Sequence, residues 1–162
     1  MLRFIALAIL GVWIGGLVVL GAIAAPTLFA VLEAHDPAAG RTLAATVFGA
    51  IFQRFQPVTW LLGGLLIAAL GARAALGPRP RRVGLRIWVV IGMLAVSVGT
   101  TLLIVPRIDR IRHETPSAVA NLSEDDPRKV EFNRLHGLSN GLMLVTLVAG
   151  LGLLWFEVTD TH

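Results

Sequence analysis

Four histidines, ten carboxylates, three methionines and no cysteine make up the whole stock of metal-binding and acid–base side chains in this chain of 162 residues. Without thiolates there are no disulfides, zinc-finger spacings, cysteine nucleophiles or iron–sulfur ligands, and the redox compartment is left open. Imidazole and carboxylate donors together suit divalent transition metals. His35, Asp109, His113, Glu131 and His136 form the candidate metal set, with Asp36 beside His35. No two of them show the H-x-x-x-H or E-x-x-H spacing of a specific metal motif, and a solvated charged rim is the plainer reading.

His136 lies in the segment EFNRLHGLSNGLML. A helix there puts Asn133, His136, Asn140 and Met143 on one face, with Gly137 and Ser139 beside it. Lipid cannot satisfy such groups, so Asn133, His136, Ser139, Asn140 and Met143 are expected to form a polar stripe facing the bundle interior or a wet cavity. Interhelical hydrogen bonding explains the stripe as well as ligation does. Partners for His136 are expected on another helix, with Asn140, Arg54 or an outer acid nearest. Met93 and Met143 read as core gap-fillers rather than copper or haem ligands.

The elements that position these residues follow from composition. With 56% hydrophobic and 15% charged residues and a mean hydropathy of +0.77, the chain lies well outside the soluble range of roughly 45–50% apolar and about 25% charged. A core large enough to hide that surface does not fit in so short a chain, so lipid is the natural solvent and a soluble enzyme is excluded. The pI of 11.3 accompanies a net charge of only +4, and the arginines sit between apolar runs. That pattern sets membrane topology rather than binding nucleic acid.

Four charge-free runs are long enough to cross a bilayer of about 30 Å: Phe4–Leu32, Phe55–Ala72, Ile87–Pro106 and Leu135–Phe156. They predict an all-α integral membrane protein, a four-helix up-down-up-down bundle forming one domain over residues 1–162. Helices are expected at about 4–32, 41–75, 84–113 and 129–157, with a basic link at 76–83 and an outward loop at 114–128. The first run is too long for the apolar core of a cleavable signal peptide, and tilt or a kink at Pro26 absorbs its excess.

Thr42–Gln56 repeats at 3.6 residues, with Leu43, Val47, Phe48, Ile51, Phe52 and Phe55 opposite Thr42, Thr46, Gly49, Gln53 and Gln56. It is expected to continue through Pro57 as the outer part of a kinked second helix, its polar stripe facing protein and its phenylalanines facing lipid or a partner subunit. The third helix is expected to pass Pro106, because Asp109/His113 and Arg110/Glu114 fall at i,i+4 spacing. Thr115–Pro127 reads as the connecting loop and Ser123–Asp126 as a helix cap.

Arg73, Arg79, Arg81, Arg82 and Arg86 surround the second link with no acid among them, which assigns that link to the cytoplasm of an inner membrane, with both termini on the same side. Arg54 and Arg134 are interfacial or buried charges that snorkel to headgroups unless Glu33 or Glu131 pairs with them. Gly11/Gly15 and Gly137/Gly141 form G-x-x-x-G spacings, with Gly16 adjacent, suited to close packing within the bundle or between protomers. Trp60, Trp88 and Trp155 lie nearer run ends, as interface anchors do, whereas Trp13 lies deep in its run.

Four motifs carry a family resemblance: W-I-G-G at Trp13–Gly16, A-P-T-L-F at Ala25–Phe29, G-A-I-F at Gly49–Phe52 followed by Arg54, and F-N-R-L-H-G-L-S-N at Phe132–Asn140. Together they resemble small membrane proteins grouped with eukaryotic transmembrane protein 205, a domain of unknown function. The resemblance covers most of the chain. That family is distantly similar to copper-resistance D membrane proteins and to small four-helix haem-binding protoporphyrinogen oxidases, and the link of its eukaryotic members to platinum-drug resistance implies metal handling.

Three functions follow as expectations: binding or transport of a metal ion or complex through the outward His and acid set, a structural or assembly role without ligand, and a haem-binding redox role for His136. The last lacks a second axial histidine inside a run. No cofactor is assigned, an enzyme is not expected, and the bilayer is the expected partner. Transport through four helices would require a homo-oligomer.

Overall fold

The computed structural model describes residues 1–76, 81–115 and 119–160. Arg79, Pro78 and Pro80 of the basic link and Pro116–Ala118 of the outward loop lie outside the described residues. Among the described residues the chain is all helix apart from its connections. Four continuous helical spans, Leu2–His35, Gly40–Leu76, Val83–Glu114 and Pro127–Thr159, are long and apolar enough to cross a membrane. They exceed the sequence boundaries by one to three residues at each end. At about 1.5 Å per residue each measures roughly 48–56 Å, more than a bilayer with its headgroups, so the polar ends reach water.

The first span comprises α1 (Leu2–Val18), a π-helical segment (Val19–Ala24) and α2 (Ala25–His35). The third repeats the pattern with α4 (Val83–Gly99), a π segment (Thr100–Ile104) and α5 (Val105–Glu114). Pro26 and Pro106 explain both, since each sits at the start of the helix following a π segment. A proline has no N–H for the i→i−4 ladder and crowds the preceding turn, and wider i→i+5 turns absorb the misfit. The second span is the single helix α3 (Gly40–Leu76), with Pro57 inside it, and the fourth is α6 (Pro127–Thr159).

The core face of α1 is Ala6, Leu10, Trp13, Ile14 and Leu17, a helical stripe of period 3.6. It packs on α3 and α6, α3 packs on α4, and α4 on α6, closing the bundle. One core gathers Leu10, Trp13, Leu66, Val90, Met93 and Leu153. A second, smaller one joins Ile104, Ile108, Ile111, Val119 and Leu135 at the end carrying the connection between α5 and α6. Met93 is 3% exposed and fills this packing as expected of a core methionine.

Close approach is made at glycines other than the G-x-x-x-G pairs. A Cβ on Gly16 would lie 2.5 Å from the Phe55 ring, one on Gly63 would strike Leu94, and one on Gly40 would collide with the Leu32 carbonyl. Gly11, Gly15, Gly137 and Gly141 have nothing within 4 Å. Within this chain, therefore, only Gly16 of the five small residues singled out from the sequence brings helices together.

Candidate functional site

The end of the bundle where α1 begins and α6 ends is closed by buried charge. Arg73 in the last turn of α3, Arg86 in the first turn of α4, and Glu157 and Asp160 at the end of α6 are each at most 5% exposed. Arg73 and Arg86 each donate to a separate carboxylate oxygen of Glu157. Arg86 also donates to Asp160 Oδ2 at 2.9 Å, and Arg73 approaches the same oxygen at 3.9 Å. Two positive and two negative charges thus neutralise one another where neither alone could be buried. Arg3 completes the closure by donating to the backbone carbonyls of Glu157 and Val158 at 2.9 and 2.7 Å, which suits a cation at a helix C-terminus.

Ser97 lies eleven residues beyond Arg86 along α4, about 16 Å of helix rise. The indole N–H of Trp60 donates to the Ser97 hydroxyl at 3.0 Å, and Ser97 donates to Gln56 Oε1 at 2.6 Å. The indole can only donate, so Ser97 accepts from Trp60 and keeps its own hydrogen for Gln56 Oε1. Thr59 donates its hydroxyl hydrogen to the Gln56 backbone carbonyl one turn back, at 2.8 Å. Among the described residues the Gln56 Nε2 group makes no hydrogen bond.

That amide borders a crevice of about 30 Å³ walled by Trp13, Phe52, Phe55, Gln56, Ser97 and Met143, with Thr100, Ser139 and Thr146 adding hydroxyls. The volume holds about two waters. Both π segments begin within a few residues of it, at Val19 beyond Leu17 and at Thr100 itself. Such segments are often found at functional sites.

The stripe expected inside the bundle faces outward. Asn133, His136 and Asn140 are exposed, and only Ser139 and Met143 turn partly inward to the crevice. The inward face of α6 is instead Leu135, Thr146, Gly150, Leu153 and Glu157. His136 lies 21 residues from Glu157, about 31 Å along the helix, at the opposite end of the bundle from the buried charges. Its ring stacks on Phe132, with centroids 6.0 Å apart, and the Arg112 guanidinium lies over that phenylalanine at 5.5 Å.

The polar stripe of α3 is likewise exposed at Thr42, Thr46 and Gln53, with Gln56 alone buried, while Phe52 and Phe55 line the crevice. The reason is packing: aromatic rings fill the space beside Gly16 and Trp13 better than threonines do. Trp60, expected as an interface anchor, is the donor of the buried relay, whereas Trp88 and Trp155 are exposed. Arg54 and Arg134 are exposed and make no ion pair among the described residues; Glu33 pairs with Arg41 at 3.8 Å instead.

His35, His113 and Glu131 are exposed and Asp109 is half-buried. Among the described residues no group of three or more His, Cys, Asp or Glu is arranged to hold a metal ion. Asp126 caps α6 by accepting from the Arg128 backbone N–H at 2.9 Å, within the stretch expected to supply the cap. The Arg128 side chain, together with that backbone bond, holds the Asp126 carboxyl below its ordinary value.

The chain matches the family described as Domain of unknown function (DUF4149) over residues 8–117. No curated protein and no solved structure matches it.

Proposed function

This chain belongs to the DUF4149 family, a domain of unknown function, and from that premise we propose that it is a non-catalytic membrane binding protein. Its ligand is a small lipid-phase molecule bearing one hydrogen-bond acceptor. The observation that carries this reading is the Gln56 amide, which is 5% exposed, held in place by Trp60 and Ser97, and left with its N–H₂ group unspent beside the crevice. A donor left without a protein partner beside the crevice favours an acceptor that can enter from the lipid. The crevice admits a hydroxyl or carbonyl head, while Phe52, Phe55 and Met143 receive the apolar part. The up-down-up-down arrangement, an inner-membrane location and a cytoplasmic Arg73/Arg86 end belong to the same reading, supported by the five arginines around the second link. Metal handling, implied by the resemblance to transmembrane protein 205, has no donor cluster to support it among the described residues.

Tryptophan quenching tests the reading. Trp88 and Trp155 are exposed and are replaced by Phe, leaving Trp13 at the crevice and Trp60 in the relay. Tribromoethanol should quench the remaining fluorescence saturably, and Gln56→Leu should make the quenching linear in concentration. Linear quenching in both proteins would overturn the proposal.

A further inference from the structure

Beside the closed end of the bundle lies a second cavity, of about 240 Å³, walled by Arg81, Arg82, Arg86, Phe156, Thr159 and Asp160. It is separate from the crevice at Gln56 and shares no lining residue with it. Arg81 and Arg82 are exposed, and their guanidinium groups make no hydrogen bond or ion pair among the described residues. The N-terminus of α4 opens at the same place: its cap is Arg82, no side chain caps its first amides, and its first turn carries no acid. These amides and two free guanidinium groups favour an anion.

The buried charges add an independent observation. Arg86 is 2% exposed and Asp160 3%, and among the described residues Arg86 Nε and Asp160 Oδ1 have no hydrogen-bond partner. Both side chains form walls of this cavity. Each orphan is expensive in a buried setting, and the two ask for opposite things, an acceptor for Arg86 and a donor for Asp160. A bare anion answers only the first. A phosphodiester bearing a neighbouring hydroxyl answers both. The volume also exceeds what a phosphate group needs, since a cavity of about 150 Å³ accommodates benzene.

We propose that this cavity binds the headgroup of an anionic phospholipid carrying a hydroxyl, such as phosphatidylglycerol. The phosphate lies among Arg81, Arg82 and the first amides of α4, and the headgroup hydroxyl turns toward Asp160. The setting fits a lipid: Trp88 and Trp155, both about 70% exposed, mark the adjoining interface, and basic pockets between membrane helices recognise acidic headgroups. The net charge favours the anion, because Arg73, Arg86, Glu157 and Asp160 cancel and leave Arg81 and Arg82 unbalanced.

The test is thermal unfolding of the full chain in phosphatidylcholine nanodiscs with increasing phosphatidylglycerol, for the wild type and for Arg81→Gln/Arg82→Gln. Neither replaced side chain has a partner among the described residues, so the variant should fold. The wild type should gain Tm saturably with phosphatidylglycerol, and the variant should lose at least half of that gain. An equal gain in both proteins, or none in the wild type, would overturn the site. Inorganic phosphate added to phosphatidylcholine nanodiscs should leave Tm unchanged; a gain matching that of the lipid would overturn the lipid assignment in favour of a free phosphate.

Discussion

Arg86 in the first turn of α4 and Glu157 in the last turn of α6 meet 71 residues apart in sequence, both almost fully buried, and Arg73 takes the other carboxylate oxygen. One carboxylate thereby ties three helices together at the end of the bundle. Breaking such a pair strands the remaining charges, so Glu157→Gln should destabilise the protein by about 3–5 kcal/mol. Replacing Arg73, Arg86, Glu157 and Asp160 together by Met and Leu should cost less than that single change, because no charge is left unpaired. Unfolding of both variants in mixed micelles ranks them directly.

The Trp60–Ser97–Gln56 relay should be worth less. Hydrogen bonds between membrane helices average about 0.6 kcal/mol and reach about 1.7, and Ser97→Ala should fall in that range. Trp60 fluorescence should shift when its N–H loses the hydroxyl, which distinguishes loss of the relay from general loosening.

Glycine substitutions should sort by what a Cβ meets. Gly40→Ala collides with the Leu32 backbone carbonyl and should be the most damaging; Gly16→Ala requires only the Phe55 ring to move. Gly11→Ala and Gly137→Ala meet nothing within 4 Å, and in a helix interior the change should be neutral or stabilising by up to about 1 kcal/mol. Melting temperatures of the four variants provide the order.

The cap of α6 should depend on pH. Asp126 has a carboxyl pKa below its ordinary value of 3.8, mainly through the Arg128 side chain. A depressed carboxylate stabilises the folded state above that ordinary value, and the contribution is lost as pH falls through the lower folded value. Hydrogen exchange at the Arg128 amide should therefore gain an acid-driven opening below about pH 3.8, and Asp126→Asn should remove that dependence.

Four membrane-length helices were legible because each contains a charge-free run long enough to cross a bilayer. The inward face of each helix was harder. At Asn133, His136 and Asn140 polarity suggested the interior, but these residues are exposed, because the rotation of α6 turns Leu135, Thr146 and Gly150 inward instead. The buried charges went unread because Arg73 and Arg86 served as topology markers. Their signal was periodicity: Leu66, Leu70 and Arg73, then Arg86, Val90 and Met93, then Leu153, Glu157 and Asp160 each continue one core stripe at helical spacing. Gln56 and Ser97 continue the first two of these stripes, through Thr59, Gly63 and Leu66 and through Met93 and Thr100, but a polar residue on such a stripe does not by itself say which partner it meets across the helices.

The central claim is that the Gln56 amide is the free donor of a ligand crevice. The chain contains only two glutamines, Gln53 and Gln56, so ¹⁵N-glutamine labelling gives two side-chain NH₂ pairs, one exposed and one buried. Titration with a short-chain ketone, an acceptor without a donor, should move the Gln56 pair saturably and leave Gln53 in place. Shifts that are equal and linear for both pairs, or no shift of Gln56, would contradict the account.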